Sequence, residues 1–196
     1  MQLFESQDKT SHLLAALVIY QNLKERAGEL LEKKEEFLNM RSIIFNQLFE
    51  KLRNYDIRVI DRICYSISIL MVVGIASYWP ECVEDILNFA KSSPENCLFS
   101  IKIIENIPKE LNELNIPNRM VLRIRDLLQA QKPLIQEFVY VVLTTLDTNN
   151  KANVTIFNEN LNLLKEWVRL SLNLLKMPLL SETLIKSINS DNISVI

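Results

Sequence analysis

Apolar residues recur every three or four positions along most of the chain, the spacing that places them on one face of an α-helix. The clearest stripes lie at residues 13–20, 43–52, 56–77, 81–90, 97–106, 119–129, 134–146 and 157–176, and a last one follows Pro178. No segment shows the sustained alternation of apolar and polar residues that a half-buried strand requires. The pattern predicts an all-α protein of about nine helices.

Prolines mark the boundaries between these stripes, because a proline suits the first turn of a helix and disrupts its interior. Pro80 and Pro94 are predicted to open helices, and Pro108 and Pro117 to bracket an irregular link. Pro133 either restarts a helix or kinks it. These breaks, together with the stripes, divide the chain into helix pairs.

The helix pairs recur about every 40 residues, the period of HEAT and armadillo arrays. We therefore predict an α-solenoid of HEAT-like helix pairs over residues 1–190, followed by a frayed tail at 191–196. A closed helical bundle is the less favoured alternative. Thr10 or Ser11 is expected to cap the first helix. Residues 27–36 are expected to form a solvated connection or a helix extension, and residues 147–153 a turn.

The segment from Ile63 to Trp79 contains no charged residue. A membrane-spanning helix needs about 20 apolar residues, and this segment is shorter and carries three serines and a glycine. A helix that is apolar all round also occurs between neighbouring helices in a layered protein. The buried helix is favoured over the membrane span, which stays an alternative.

Composition and charge exclude several classes of function. The chain has only 2 glycines in 196 residues, too few for the glycine-rich loops that cradle phosphates or for the turns of a sheet protein. Its formal net charge of −2 is unlike that of a nucleic-acid-binding protein, which carries a basic surface. We therefore expect that the protein does not bind nucleic acid.

Two charged stretches are candidates for binding. The segment from Glu81 to Glu113 holds seven acidic and three basic residues, which favours either a basic partner or, more simply, a solvated helix surface. Arg119 and Arg123 lie one helical turn apart on the same helix face, so together they are candidates to bind an acidic group. Arg125 is nearby in the sequence. Pairing with local carboxylates such as Asp126, or simple solvation, is the favoured interpretation of these arginines.

No set of residues predicts catalysis, a metal or a cofactor. The three cysteines, Cys64, Cys82 and Cys97, are scattered and odd in number, which is typical of small apolar core residues in a reducing compartment. The single histidine, His12, lies at the start of an amphipathic helix, far from the cysteines in sequence. We predict that the protein is not an enzyme.

Three residues are predicted to belong to the structural core: Trp79, Pro80 and Trp167. A large ring at a helix start or in a helical stripe commonly fills the gap between neighbouring repeats. The ends of the array are expected to be poorly covered, because the first helix is apolar on more than one face and residues 177–196 are still amphipathic. Such faces favour self-association or a partner.

Several short motifs, in order along the chain, resemble the importin-β superfamily of nuclear transport receptors. The similarity is to the amino-terminal HEAT repeats of its importin-13 and transportin-3 branch. The motifs that carry it are Gln2-Leu3-Phe4, Ser11 to Ala16, Asn39 to Leu48, Val59 to Val73, Tyr78-Trp79-Pro80 with Cys82-Val83, Ile101 to Leu111, and Leu164 to Leu170. One departure is Ile69, which stands where the branch has an acidic residue. The receptors of the branch are also several times longer.

The resemblance implies a protein that binds a Ran-type GTPase, a cargo protein or both, and that occupies the cytoplasm and the nucleus. It leaves the GTPase-binding and cargo-binding residues, the cargo and the direction of transport unassigned. The chain is either a fragment of a longer receptor or a short divergent paralogue. The alternatives are a helical scaffold without transport activity and, less favoured, a membrane-anchored helical protein.

Overall fold

The computed structural model describes residues 4, 8–145 and 151–169, and these contain seven α-helices and no β-strand. In chain order the helices are α1 (Lys9–Leu30), α2 (Lys34–Arg41), α3 (Ile57–Gly74), α4 (Cys82–Ala90), α5 (Pro94–Glu113), α6 (Asn118–Thr145) and α7 (Lys151–Arg169). A π-helix, Ser42–Leu48, and a 3₁₀-helix, Phe49–Asn54, continue α2 toward α3. The predicted all-α class is confirmed.

The helices pack in two layers. Helices α1, α3, α5 and α7 lie side by side in that order in the first layer. The second layer consists of α2 with its continuation, α4 and α6, and the Phe49 ring packs against Phe89 of α4 with 4.1 Å between the ring centroids. Each helix contacts mainly the next helix of its own layer and the helices beside it in the other layer. This is the solenoid arrangement of stacked helix pairs.

Helix α3 lies between α1 and α5, and every residue from 66 to 74 is buried. Its buried serines are paired, as burial of a hydroxyl requires. Ser66 donates to the Arg62 carbonyl at 2.8 Å, and Ser68 Oγ lies 2.7 Å from the Ile103 carbonyl of α5. The apolar segment is therefore a buried helix of the solenoid. Among the described residues, no helix is both long enough and apolar enough to cross a membrane.

The end of α3 depends on Gly74. Its carbonyl oxygen accepts hydrogen bonds from the backbone N–H groups of Ser77, Tyr78 and Trp79, at 3.0, 2.9 and 2.8 Å. A Cβ added at residue 74 would lie 2.5 Å from Cζ of Phe37 on α2. Glycine therefore lets the two layers approach closely at this turn.

Some predicted boundaries were wrong. Asp8 caps α1, accepting from the N–H groups of Thr10 and Ser11 at 3.1 and 3.0 Å, so neither of those two residues is the cap. Of the two alternatives for residues 27–36, the helix extension is confirmed for residues 27–30, which continue α1. Residues 151–153, predicted as part of a turn, belong to α7. The rest of that predicted turn, residues 147–150, lies outside the described residues.

Two prolines lie inside helices. Pro108, predicted to begin an irregular link, lies within α5. Of the two alternatives for Pro133, the restarted helix is wrong, because the residues on both sides of it form the single helix α6. The carbonyl that Pro133 leaves without a helical partner belongs to Gln129, which is exposed, so water can satisfy it. The predicted helix after Pro178 and the tail at 191–196 lie outside the described residues, and the boundary at residue 190 stays a prediction.

Candidate functional site

The first layer carries a polar groove of about 620 Å³ along α3, α5 and α7. It forms because the outward faces of these three helices are polar while their inward faces fill the core. The residues that line this polar groove are Tyr65 from α3, Lys102, Glu105, Asn106, Pro108, Lys109, Asn112 and Glu113 from α5, and Glu159 and Glu166 from α7. Both signs of charge are present, as on a surface that binds a polar protein partner.

The charges in the polar groove perturb one another. Lys102 Nζ lies 2.9 Å from Oδ1 of Asp61 on α3. Burial is the largest single influence on Lys102 and favours the neutral lysine, but the hydrogen bond to Asp61 and the negative charges of Asp61 and Glu159 together outweigh it, so the pKa of Lys102 is raised. Burial and then the negative charge of Glu159 raise the pKa of Glu105 to about 7. The carboxyl group of Glu105 therefore titrates near neutral pH.

A second polar contact joins α1 to α5 at the edge of the polar groove. Lys24 Nζ lies 2.6 Å from Oε2 of Glu113. The hydroxyl of Tyr20 donates to Oε1 of Glu110 at 3.2 Å, and Oε2 of Glu110 is buried with no hydrogen-bond partner among the described residues. Burial raises the pKa of Glu110. The acidic residues between 81 and 113 therefore do not form one solvated surface, because Glu110 belongs to the interior.

Helix α7 attaches to α5 through Trp167. Proline has no N–H, so Pro108 leaves the carbonyl of Ile104, four residues earlier, without its helical donor. The indole Nε1 of Trp167 donates to that carbonyl at 2.9 Å. Trp167 is fully buried, so the contact closes a gap in α5 that solvent does not reach.

Trp79 lies in the turn between α3 and α4. It is buried, and its Nε1 donates to Oδ2 of Asp85 at 2.6 Å. The guanidinium of Arg41 lies over the indole ring, 4.4 Å from its centroid, and Arg41 Nη2 is 3.3 Å from the same Asp85 oxygen. Pro80 is exposed in the turn before α4 and is not a core residue, because the chain turns outward there after burying Trp79.

The remaining candidates from the sequence do not form a chemical site. Burial raises the pKa of Cys82 to about 12 and that of Cys97 to about 11, so both stay thiols rather than nucleophilic thiolates at neutral pH. His12 is half-buried and packs edge-on against the Tyr55 ring at 5.2 Å. In the part of the chain that the structure describes, no group of three or more His, Cys, Asp or Glu side chains is arranged to hold a metal ion.

The three arginines of α6 are exposed. Arg125 Nη2 donates to Oδ1 of Asn112 at 3.1 Å, which ties the start of α6 to the end of α5 rather than binding the neighbouring Asp126. Arg119 and Arg123 lie on the surface outside the polar groove. Arg119 and Arg123 are therefore separate from the polar groove, whereas Arg125 contacts Asn112 of its lining.

Sequence reasoning missed the polar groove because no single helix contains it. The signal available in the sequence was the spacing of Glu159 and Glu166, seven residues apart and therefore on one face of α7. Nothing local indicates that this face meets Glu105, since the pairing depends on how α7 packs against α5.

Comparison with known proteins gives one match. Residues 58–194 match the family model described as exportin 1-like protein. The match begins in α3, includes α4 to α7 and the whole lining of the polar groove, and extends over more than two thirds of the chain. No curated protein and no solved structure matches.

Proposed function

Because the chain belongs to the exportin 1-like family, we propose that it is a nuclear transport receptor-like binding module. Its proposed partners are a Ran-type GTPase, a cargo protein or both. The observation that carries the proposal is the family match over residues 58–194. The stacked helix pairs support it, because a solenoid of this kind offers an extended surface to a protein partner.

We place the partner-binding surface on the polar groove. Its lining joins three consecutive helices of one layer, so a single partner contacts several repeats at once. Its mixed charges suit recognition of a polar protein surface, where charge complementarity sets specificity and the rate of association. Lys109 is the best residue to test, because it is exposed in the middle of the lining.

The branch of the superfamily and the cellular location are part of the same proposal. The ordered motifs favour the importin-13 and transportin-3 branch, and the branch implies a protein that works in the cytoplasm and the nucleus. Ile69, which stands where the branch has an acidic residue, is buried in α3 and takes no part in the binding surface. Loss of that acidic residue is therefore compatible with a groove built from α5 and α7.

A pull-down with Ran loaded with GTP or with GDP tests the proposal. We expect the full chain to retain the GTP form and not the GDP form, and Lys109→Glu to weaken retention. Lys91→Glu is the matched control, because Lys91 is an exposed lysine beside α4 in the second layer, outside the polar groove. Equal retention of both nucleotide forms, or of neither, would refute the GTPase part and favour a scaffold without transport activity.

A further inference from the structure

Three carboxylates lie on the polar side of the contact between α7 and α5. Glu105 comes from α5, and Glu159 and Glu166 come from α7, and all three line the polar groove. We call these three the carboxylate cluster. Like charges held near one another in a partly buried site raise the cost of ionising them all. The packing of these two helices therefore brings together groups that repel when every one is ionised.

The cations around the carboxylate cluster compensate this repulsion only in part. Lys102 is the nearest, but its ammonium group forms an ion pair with Asp61 of α3 at 2.9 Å, so its charge is shared. The other titratable groups of the lining are Tyr65 from α3 and Lys109 and Glu113 from α5. Glu113 is itself bound by Lys24 of α1 at 2.6 Å. Among the residues that line the polar groove there are therefore four carboxylates and two lysines.

The same two helices are also held together by the hydrogen bond from Trp167 to the Ile104 carbonyl. This bond lies in the dry interior and does not change its charge between acidic and neutral pH. The α5–α7 contact thus combines a fixed attachment inside the protein with an electrostatic repulsion at its polar edge. Only the repulsion responds to protons.

We propose that the α5–α7 contact is a proton-linked joint. Proton uptake by Glu105, which faces the carboxylates of α7 across the polar groove, draws α7 onto α5, and proton release loosens α7 and opens the polar groove. The raised pKa of Glu105, about 7, places this change near neutral pH. An unfolded glutamate has its ordinary pKa near 4.5, so the folded state binds the proton more tightly. The stability that the proton supplies is therefore lost as the pH rises from about 4.5 through 7.

Denaturant unfolding of the full chain tests the joint without any partner, so its outcome is independent of the proposed function. We expect the unfolding equilibrium constant to rise several-fold per pH unit between about pH 5 and pH 7.5. Tenfold per unit is the ceiling for one proton, and water in the open groove keeps the effect below it. Glu105→Gln should remove the part of this rise that Glu105 supplies and leave the part that comes from the buried Glu110, and Glu159→Gln should reduce the Glu105 part by removing the neighbouring charge.

Glu113→Gln is the matched control on α5. Its hydrogen bond to Lys24 lowers the pKa of Glu113, so this group stays ionised in both states across the window. The control should therefore leave the part of the pH dependence that comes from Glu105 in place. Hydrogen exchange, corrected for the intrinsic rate, should show α7 losing protection relative to α3 as the pH rises. Unchanged pH profiles in both Glu105→Gln and Glu159→Gln would overturn the proposal.

Discussion

Replacing Trp167 by phenylalanine removes the indole N–H and leaves an aromatic ring in its place. The Ile104 carbonyl then has neither the indole donor nor a helical donor, because residue 108 is proline. Leaving one buried acceptor unpaired costs about 1–3 kcal/mol. Trp167→Ala also opens a cavity, so its expected loss of unfolding free energy is about 3–5 kcal/mol.

Pro108→Ala supplies the control for this mechanism. Alanine restores a backbone N–H at residue 108, which donates to the Ile104 carbonyl in an ordinary helix. In that background Trp167→Phe no longer leaves the acceptor unpaired. We therefore expect the loss caused by Trp167→Phe to shrink by about 1–2 kcal/mol, within the range of coupling between residues of one hydrogen-bond network.

Urea unfolding of the four proteins in this cycle, followed by circular dichroism, gives the coupling energy. Trp79→Phe provides the comparison, because its indole donates to Asp85 in the second layer. The changes in unfolding free energy caused by Trp79→Phe and by Pro108→Ala should therefore add to within about 0.5 kcal/mol. Additivity of Trp167→Phe and Pro108→Ala to the same degree would show that the indole does not replace the lost helical donor.

Three further predictions concern other parts of the fold. Gly74→Ala should lower the unfolding free energy by about 1–3 kcal/mol in thermal or urea unfolding, because the new methyl group overlaps Phe37. Burial raises the pKa of Glu110 above its value in the unfolded chain. The stability that protonated Glu110 supplies is therefore lost as the pH rises above that unfolded-state pKa. Glu110→Gln should therefore flatten this fall and stabilise the chain at pH 8, as urea unfolding at two pH values would show. The apolar side chains of Leu14 and Val18 are exposed on α1, and replacing both by serine should reduce a concentration-dependent rise in light scattering. An unmodified chain that stays monomeric at all concentrations would contradict the last prediction.

The sequence was sufficient for the features that depend on local patterns. The helical stripes predicted the all-α class, and the uncharged segment was predicted to be a buried helix because its apolar residues cover every face. Pro94 was expected to open a helix, and α5 begins there. These features depend on neighbouring residues alone.

Features that join distant segments could not be predicted. A proline inside a helix normally breaks it, but Pro108 is tolerated because Trp167, far along the chain, supplies the missing donor. Glu110 looked like one more surface acid, and only the packing of α1 against α5 buries it beside Tyr20. The polar groove depends on the same kind of long-range packing. No local rule contains this information.

The nearest-neighbour packing of the two layers also determines how the chain folds. The most extensive helix contacts join each helix of the first layer to the next helix of that layer, so the loops that close are of moderate length. An all-helical array of this kind should fold fast. Structure can begin at any adjacent pair and spread in both directions, most readily around the fully buried α3. The bonds from Tyr20 and Lys24 to α5 close loops of 90 and 89 residues, so the α1–α5 edge should be the last part to become ordered.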